Sequence, residues 1–425
     1  MRSCHPSALP LLCLVQGCER FAFYAMLPLF VLYLHHRHGF TEPTALLILG
    51  IFNALSYVSG LPGGLLTDRQ LGPTSALLAG TALLTFGYGA LAIDRGPFLG
   101  PALVLLVLGH GLFRPSIAAL LSSLEPPVAS RHDRNFLWLH LACNLAGVAG
   151  PLCGGVVSTG HRWSELFRLA TIAMLVGTLV LSATSQQIFP KGQIQRISSP
   201  SRETSIDTAT RWRAVILLCS LAVVFWLTAL QAGGSLVVFA EFYTWRRIVF
   251  FGAPIAIGPT HFASLHALLV LVMLPLFIRG SGWLRRRRIA PSTPVKMVWG
   301  YVATAAAFVL LATAGLCGGD TRSVSPAWLT GCYLLLSVAE LLLGPLGMSL
   351  VTQIAPPNRI GHAVGLWFTA AGIGNVAAGG LGLLWGYWPN HRYFALLAIV
   401  SLGAAAVLLA RLRQLEAVNE APASR

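Results

Sequence analysis

The chain has 425 residues, 55% of them hydrophobic and only 10% charged, with a mean hydropathy of +0.71. Soluble domains carry close to a quarter charged residues, so this composition excludes one and implies a polytopic membrane protein. The net charge of +15 does not point to nucleic acid, because the 29 basic residues are scattered through short polar breaks and build no basic domain with interleaved aromatics.

The first apolar run, Ala8 to Leu34, is long enough to cross a bilayer and holds two charges, Glu19 and Arg20. It is too long for a signal-peptide core and is read as a permanent helix. Each charge costs roughly 2.5 to 3.5 kcal/mol at bilayer depth on insertion scales, so both are expected to face protein or a water-filled cavity. Neighbours in sequence point about 100° apart on a helix. Glu19 and Arg20 are therefore expected to seek partners on other helices or on a ligand rather than each other.

Cutting the rest at polar and Pro/Gly-rich breaks gives twelve apolar segments in all, near 9–34, 43–67, 73–93, 98–123, 134–158, 165–187, 213–240, 257–278, 295–317, 325–354, 361–386 and 391–411. The longest polar stretch, 188–212, divides them six and six. The expected organisation is an N-terminal bundle over 1–187, a cytoplasmic linker over 188–212, a C-terminal bundle over 213–412 and a cytoplasmic tail over 413–425. With the amino terminus inside, nineteen Lys and Arg fall in inner loops and ends against eight in outer loops, so the positive-inside rule puts both termini in the cytoplasm. The run Arg285 to Arg288 reads as a topology anchor near anionic lipid. The eight cysteines show no C-x-x-C or Cys/His spacing and sit mostly in apolar runs. No disulfide framework, metal site or cofactor is expected.

Several motifs carry chemistry. The loop after segment two, G-G-L-L-T-D-R-Q-L-G (residues 63–72), sets Asp68 and Arg69 at the membrane edge and resembles the major facilitator superfamily's loop between helices two and three, a resemblance that implies a gating role for them. Segment one carries E-R-F-x-x-Y, that is Glu19, Arg20, Phe21 and Tyr24. In order come Tyr57; G-x-G-L-F-R-P-S from Gly109 to Ser116; F-L-W-L-H-L-A-C-N from Phe136 to Asn144; F-W-L-T-A-L-Q-A-G-G-S-L from Phe225 to Leu236; S-L-H-A from Ser264; P-S-T-P-V-K from Pro291; A-E-L-L-L-G-P-L-G from Ala339; and G-L-W-F from Gly365. Over nearly the whole chain these resemble the proton-dependent oligopeptide transporters, a branch of the major facilitator superfamily. The resemblance implies an all-α membrane protein, twelve transmembrane helices in two six-helix bundles, with substrate held at midplane between the halves and alternating access.

A zwitterionic peptide carries an ammonium and a carboxylate at a nearly fixed separation, so a promiscuous carrier should grip both ends by charge and leave room for side chains. Glu340, alone in an apolar helix, is the expected ammonium partner, a role the resemblance also implies. Arg20 and Arg114 are expected at the carboxylate, and Asn144 near either end. Tyr24, Tyr57 and Trp367 would line the cavity. His140 and His266 stand where the family commonly has tyrosine and asparagine, and are expected to help bind substrate. The chain departs from the family at Gln16, Leu27, Arg114 and Leu230, each change removing a titrating group. Proton coupling would then fall to Glu19, Glu340 and the histidines His110, His140 and His266, since imidazole titrates near neutrality.

The reading is a secondary transporter of di- and tripeptides or peptide-like compounds, by proton symport, in a cell membrane and on loop grounds a bacterial inner membrane, acting as a monomer. The alternatives are a facilitator or exporter of a peptide-like metabolite without tight proton coupling, and a non-transporting receptor. No enzyme is expected, because H-E-x-x-H and G-x-S-x-G are absent.

Overall fold

The computed structural model describes residues 8–123, 129–188, 208–250, 253–287, 291–320, 323–356 and 359–420, with some side chains inside these spans left out. Eleven helices among them are long and apolar enough to cross a membrane. A further helix, Ala129–Val157, contributes the shorter apolar stretch Leu141–Val157. Most of the linker, 189–207, lies outside the described residues.

The chain groups into two units, the first comprising Met1–Phe40 and Leu55–Ile197, the second Thr41–Ala54 and Ser198–Arg425. The helices are α1 (Ala8–His38), α2 (Glu42–Val58), α3 (Gly60–Leu66), α4 (Pro73–Ala92), α5 (Gly96–Ser123), α6 (Ala129–Val157) and α7 (Trp163–Ile188). They continue with α8 (Thr208–Ala229), α9 (Ser235–Phe242), α10 (Pro259–Arg286), α11 (Thr293–Gly318), α12 (Pro326–Ile354), α13 (Ile360–Gly382), α14 (Asn390–Ala410) and α15 (Leu412–Glu420). An antiparallel hairpin of β1 (Arg247–Phe250) and β2 (Ala253–Ala256) joins α9 to α10, the one departure from an all-helical chain among the described residues.

In the first unit α1 packs against α6 and α7, and α4 against α5 and α7. The stretch read as a loop after segment two is helical instead: α3 continues into a π-turn, Thr67–Leu71, that ends at Gly72 with φ +72°. Left-handed backbone is what glycine tolerates and other residues do not, so the turn stops there and Pro73 opens α4. Where α3 crosses α5 the backbones nearly touch, and a Cβ on Gly63 would lie 2.1 Å from the Gly111 carbonyl oxygen. Pro115, one turn on, has no N–H for that carbonyl, so the oxygen is left outside the helical ladder and Gly63 packs onto it. Thr67 ties its own turn to the Gly63 carbonyl at 2.8 Å and meets Ser116 on α5 at 3.3 Å.

In the second unit α11 is flanked by α12 and α14, and α13 lies on α8. The span Thr208–Phe242 is not one straight helix, because Gly233 and Gly234 break it into α8, a 3-10 turn (Leu230–Gly233) and α9. A backbone freed at bilayer depth must be satisfied internally. Gln231 does most of this: its amide donates to the Leu227 carbonyl at 3.0 Å, and its Oε1 accepts from Ser235 at 2.6 Å and Tyr393 at 2.9 Å, while Tyr333 donates to the Ala232 carbonyl. Parts of the stretches read as linker and tail are helical. Arg211, on α8, donates to the Ile354 carbonyl at the end of α12, where a cation suits the helix dipole. The tail forms α15, with Leu415 and Val418 buried.

Candidate functional site

Glu19 is fully buried on α1 and is held on several sides. The Arg20 side chain folds back onto it through two hydrogen bonds of 2.5 Å, Nε to Oε2 and Nη2 to Oε1. This corrects the expectation that the two would not pair with each other, although Glu19 also meets a partner on another helix. Backbone directions 100° apart do not keep them apart, because the arginine stem is long enough to bring its fork alongside the carboxylate. Gln16, one turn earlier, donates to Oε2 at 3.3 Å, so the residue read as a lost acid serves as a donor to the remaining one. His110 of α5 brings Nδ1 to 3.1 Å from Oε1, its ring edge-on to Phe23 at 5.5 Å. His110 is completely buried, and neither ring nitrogen has a hydrogen-bond partner among the described residues, the approach of Nδ1 to Glu19 being an ion-pair contact. The imidazole is thus held by the carboxylate and the apolar wall.

Arg114, one turn along α5, differs from Arg20. Its guanidinium lies over the Tyr57 ring at 4.4 Å and donates to the Ser56 carbonyl at 3.3 Å, both uncharged partners. Among the described residues no carboxylate pairs with it, whereas Arg20 is already neutralised. Tyr24 sits beside Arg20, its ring centre 5.7 Å from the guanidinium carbon. Asn144 is partly buried on α6. The side chains of His140 and Asp68 lie outside the described part of the structure, and Arg69 is exposed at the π-turn.

In the second unit His266 of α10 and Glu340 of α12 meet with Nε2 2.8 Å from Oε2. Sequence reading named both residues but not their pairing. Ser337 was missed; it stands one turn before Glu340 on the same face of α12, and its Oγ is 2.9 Å from His266 Nδ1. The i, i+3 spacing of a serine and an acid on an apolar helix was the available signal. His266 and Glu340 line a small cavity with Phe225, Thr228 and Ala229 of α8 and Thr304 of α11. Trp367 is not among its walls. It is 3% exposed and sits in the core cluster with Met297 and Tyr301, its ring against Gly347, because a large apolar ring opposite a glycine fills space that water would otherwise occupy.

A buried carboxylate, Glu19, and a partly exposed one, Glu340, each paired with a basic side chain on membrane-spanning helices, define the chain as a multi-pass membrane protein with charged groups set inside its bundles. Comparison with known proteins makes this particular. The family model described as POT family matches residues 74–199 and 182–385, and the chain belongs to that family, which is one of transporters. It is 28% identical to the peptide transporter YePEPT of Yersinia enterocolitica subsp. palearctica serotype O:3, over 89% of this chain and 88% of the relative. It is 25% identical to a di-/tripeptide transporter of Lactococcus lactis subsp. cremoris, over 92% of each. Among solved structures, peptide transporter POT in complex with sulfate matches with a TM-score of 0.88 at 24% identity over 97% of this chain and 96% of that one. A POT family transporter in complex with 5-aminolevulinic acid matches with a TM-score of 0.89 at 21% identity over 97% of each. The fold is therefore the major facilitator fold, as expected.

Proposed function

We propose that this protein carries di- and tripeptides, or small molecules that share their charged ends, across a cell membrane by alternating access, driven by protons. The observation that carries the reading is Glu340, a carboxylate on an apolar helix, partly exposed and facing a cavity edged by His266 and two threonines. Such a group is matched to an ammonium. Arg114 is assigned the substrate carboxylate in preference to Arg20, since its charge has no carboxylate partner among the described residues. Tyr57 and Tyr24 supply apolar surface with a polar tip beside these cations, and Asn144 an adaptable amide. Trp367 is assigned packing.

Glu19 with His110 is assigned the transported proton, a buried acid and base in contact being the pair able to share one. Asp68 and Arg69 are assigned the gate. The boundaries 1–187, 188–212, 213–412 and 413–425 are kept for the two bundles, linker and tail, with both ends cytoplasmic in a bacterial inner membrane, and the working form is a monomer. Relatives named for peptide or di-/tripeptide transport support the substrate class.

The test is uptake of labelled dialanine into proteoliposomes with and without an inward proton gradient. Accumulation above equilibrium only with the gradient is the expected outcome. Equal, non-accumulating flux would favour facilitated transport without tight coupling, a reading that Gln16 and Leu230 in place of acids supports.

A further inference from the structure

The position of His266 adds a second cation to the site assigned to the substrate ammonium. We propose that His266 is a built-in competitor for Glu340: a substrate ammonium enters by displacing the imidazolium from the carboxylate, and the displaced imidazolium gives up its proton to the aqueous cavity. The inference rests on the assignment of Glu340 to the substrate's amino end.

The geometry carries it. The imidazole Nε2 touches Glu340 Oε2 at 2.8 Å, the contact an incoming ammonium would make. Both side chains are reachable, at 18% and 47% exposed, and both edge the same cavity. The hydrogen bonds behind the ring suit either protonation state. Ser337 Oγ lies 2.9 Å from Nδ1, 2.7 Å from the Tyr333 carbonyl and 3.3 Å from the His266 carbonyl. With the imidazolium, Nε2–H faces Glu340 and Nδ1–H donates to the hydroxyl, which donates onward to Tyr333; loss of the Nε2 proton on the cavity side leaves that Nδ1–H bond as it was. The ring therefore loses its proton without losing its seat.

Charge balances as well. Carboxylate plus imidazolium sum to zero, and so do carboxylate, ammonium and neutral imidazole, so loading leaves the summed charge of these groups unchanged. Among the described residues, other titrating groups lie on the elements packed here. On α12 Tyr333 faces the ring at 5.7 Å and Cys332 is buried beside it in sequence; on α9, which also packs on α10, Glu241 is held by Arg246. On α11, which lines the cavity through Thr304, Tyr301 donates to the Leu221 carbonyl. One consequence is that this site releases a proton on loading, so a proton travelling with the substrate has to be carried at Glu19 and His110.

The experiment is dialanine binding to purified full-length protein, by calorimetry, for wild type and His266→Asn. Affinity of the wild type is expected to fall roughly tenfold between about pH 8 and about pH 5.5, because acid fills the imidazole and so occupies the carboxylate. In H266N, a neutral side chain that does not compete, the dependence should shrink to less than about threefold, with binding tighter than wild type at the acid end. A wild type with no slope, or an equal slope in both proteins, overturns the proposal. If wild type binds no dialanine at any pH, the peptide assignment fails, and the pair is then judged by the nitrogen resonances of His266 in labelled protein. A ring that stays protonated to higher pH in wild type than in Glu340→Gln upholds the competition, and identical titration overturns it.

Discussion

The two arginines of the first unit occupy similar surroundings and have opposite standing. Arg20 is clamped by Glu19, while Arg114 meets a carbonyl and an aromatic face. Their substitutions should separate accordingly. Arg114→Gln is expected to lower affinity for dialanine about tenfold or more with little change in melting temperature, because a charge-assisted contact to the substrate is lost. Arg20→Gln is expected to lower the melting temperature first, since it leaves Glu19 buried and under-compensated, a loss on the order of 3 kcal/mol. At Glu340, replacement by glutamine should abolish uptake of substrates with a free amino end. Unchanged dialanine uptake by E340Q would remove the central assignment. At this scale the sequence singled out the charged residues, because a charge in an apolar run stands out whatever surrounds it. It did not reveal their partners, since the Arg20 fold-back and the His266 pairing depend on rotamers and on which helices meet.

Among elements, the crossing of α3 and α5 and the break between α8 and α9 are the places where backbone geometry is under most demand. Gly63→Ala would drive a methyl into the Gly111 carbonyl, and the helices would have to separate. The expected result is a melting temperature lower by several degrees and slowed transport with binding retained, read by thermal shift and uptake. Gln231→Leu removes the acceptor shared by Ser235 and Tyr393 and should destabilise by about 1–3 kcal/mol. Hydropathy found these spans closely, because burial in lipid depends on long averages that single residues do not upset. It missed the continuation of segment two to Leu71 and the hairpin at Arg247–Ala256, where local hydrogen bonding decides and the polar residues Thr67, Asp68 and Gln70 read equally well as a loop.

For the molecule as a whole, the division into two units and the family membership make gradient-driven accumulation the measurement of most weight. Glu19→Gln and His110→Asn are each expected to lose uphill accumulation in proteoliposomes while retaining exchange of labelled for unlabelled dialanine, because exchange needs no net proton movement. Loss of exchange as well would move these residues from coupling to structure. The whole-molecule reading was accessible because motifs spread over the full length had to match in order, a constraint that chance rarely satisfies. Trp367 shows the limit: it belongs to such a motif and nonetheless sits in the core cluster.

The closed Glu19–Arg20 pair also bears on how the protein is made. α1 leaves the ribosome before α5 exists, so at that moment His110 is not there to meet Glu19. Clasped to each other, Glu19 and Arg20 present the insertion machinery with a compact dipole instead of two separate ions. Arg20→Gln should therefore lower the fraction of nascent α1 that integrates, as scored by glycosylation mapping in microsomes, before any question of transport arises.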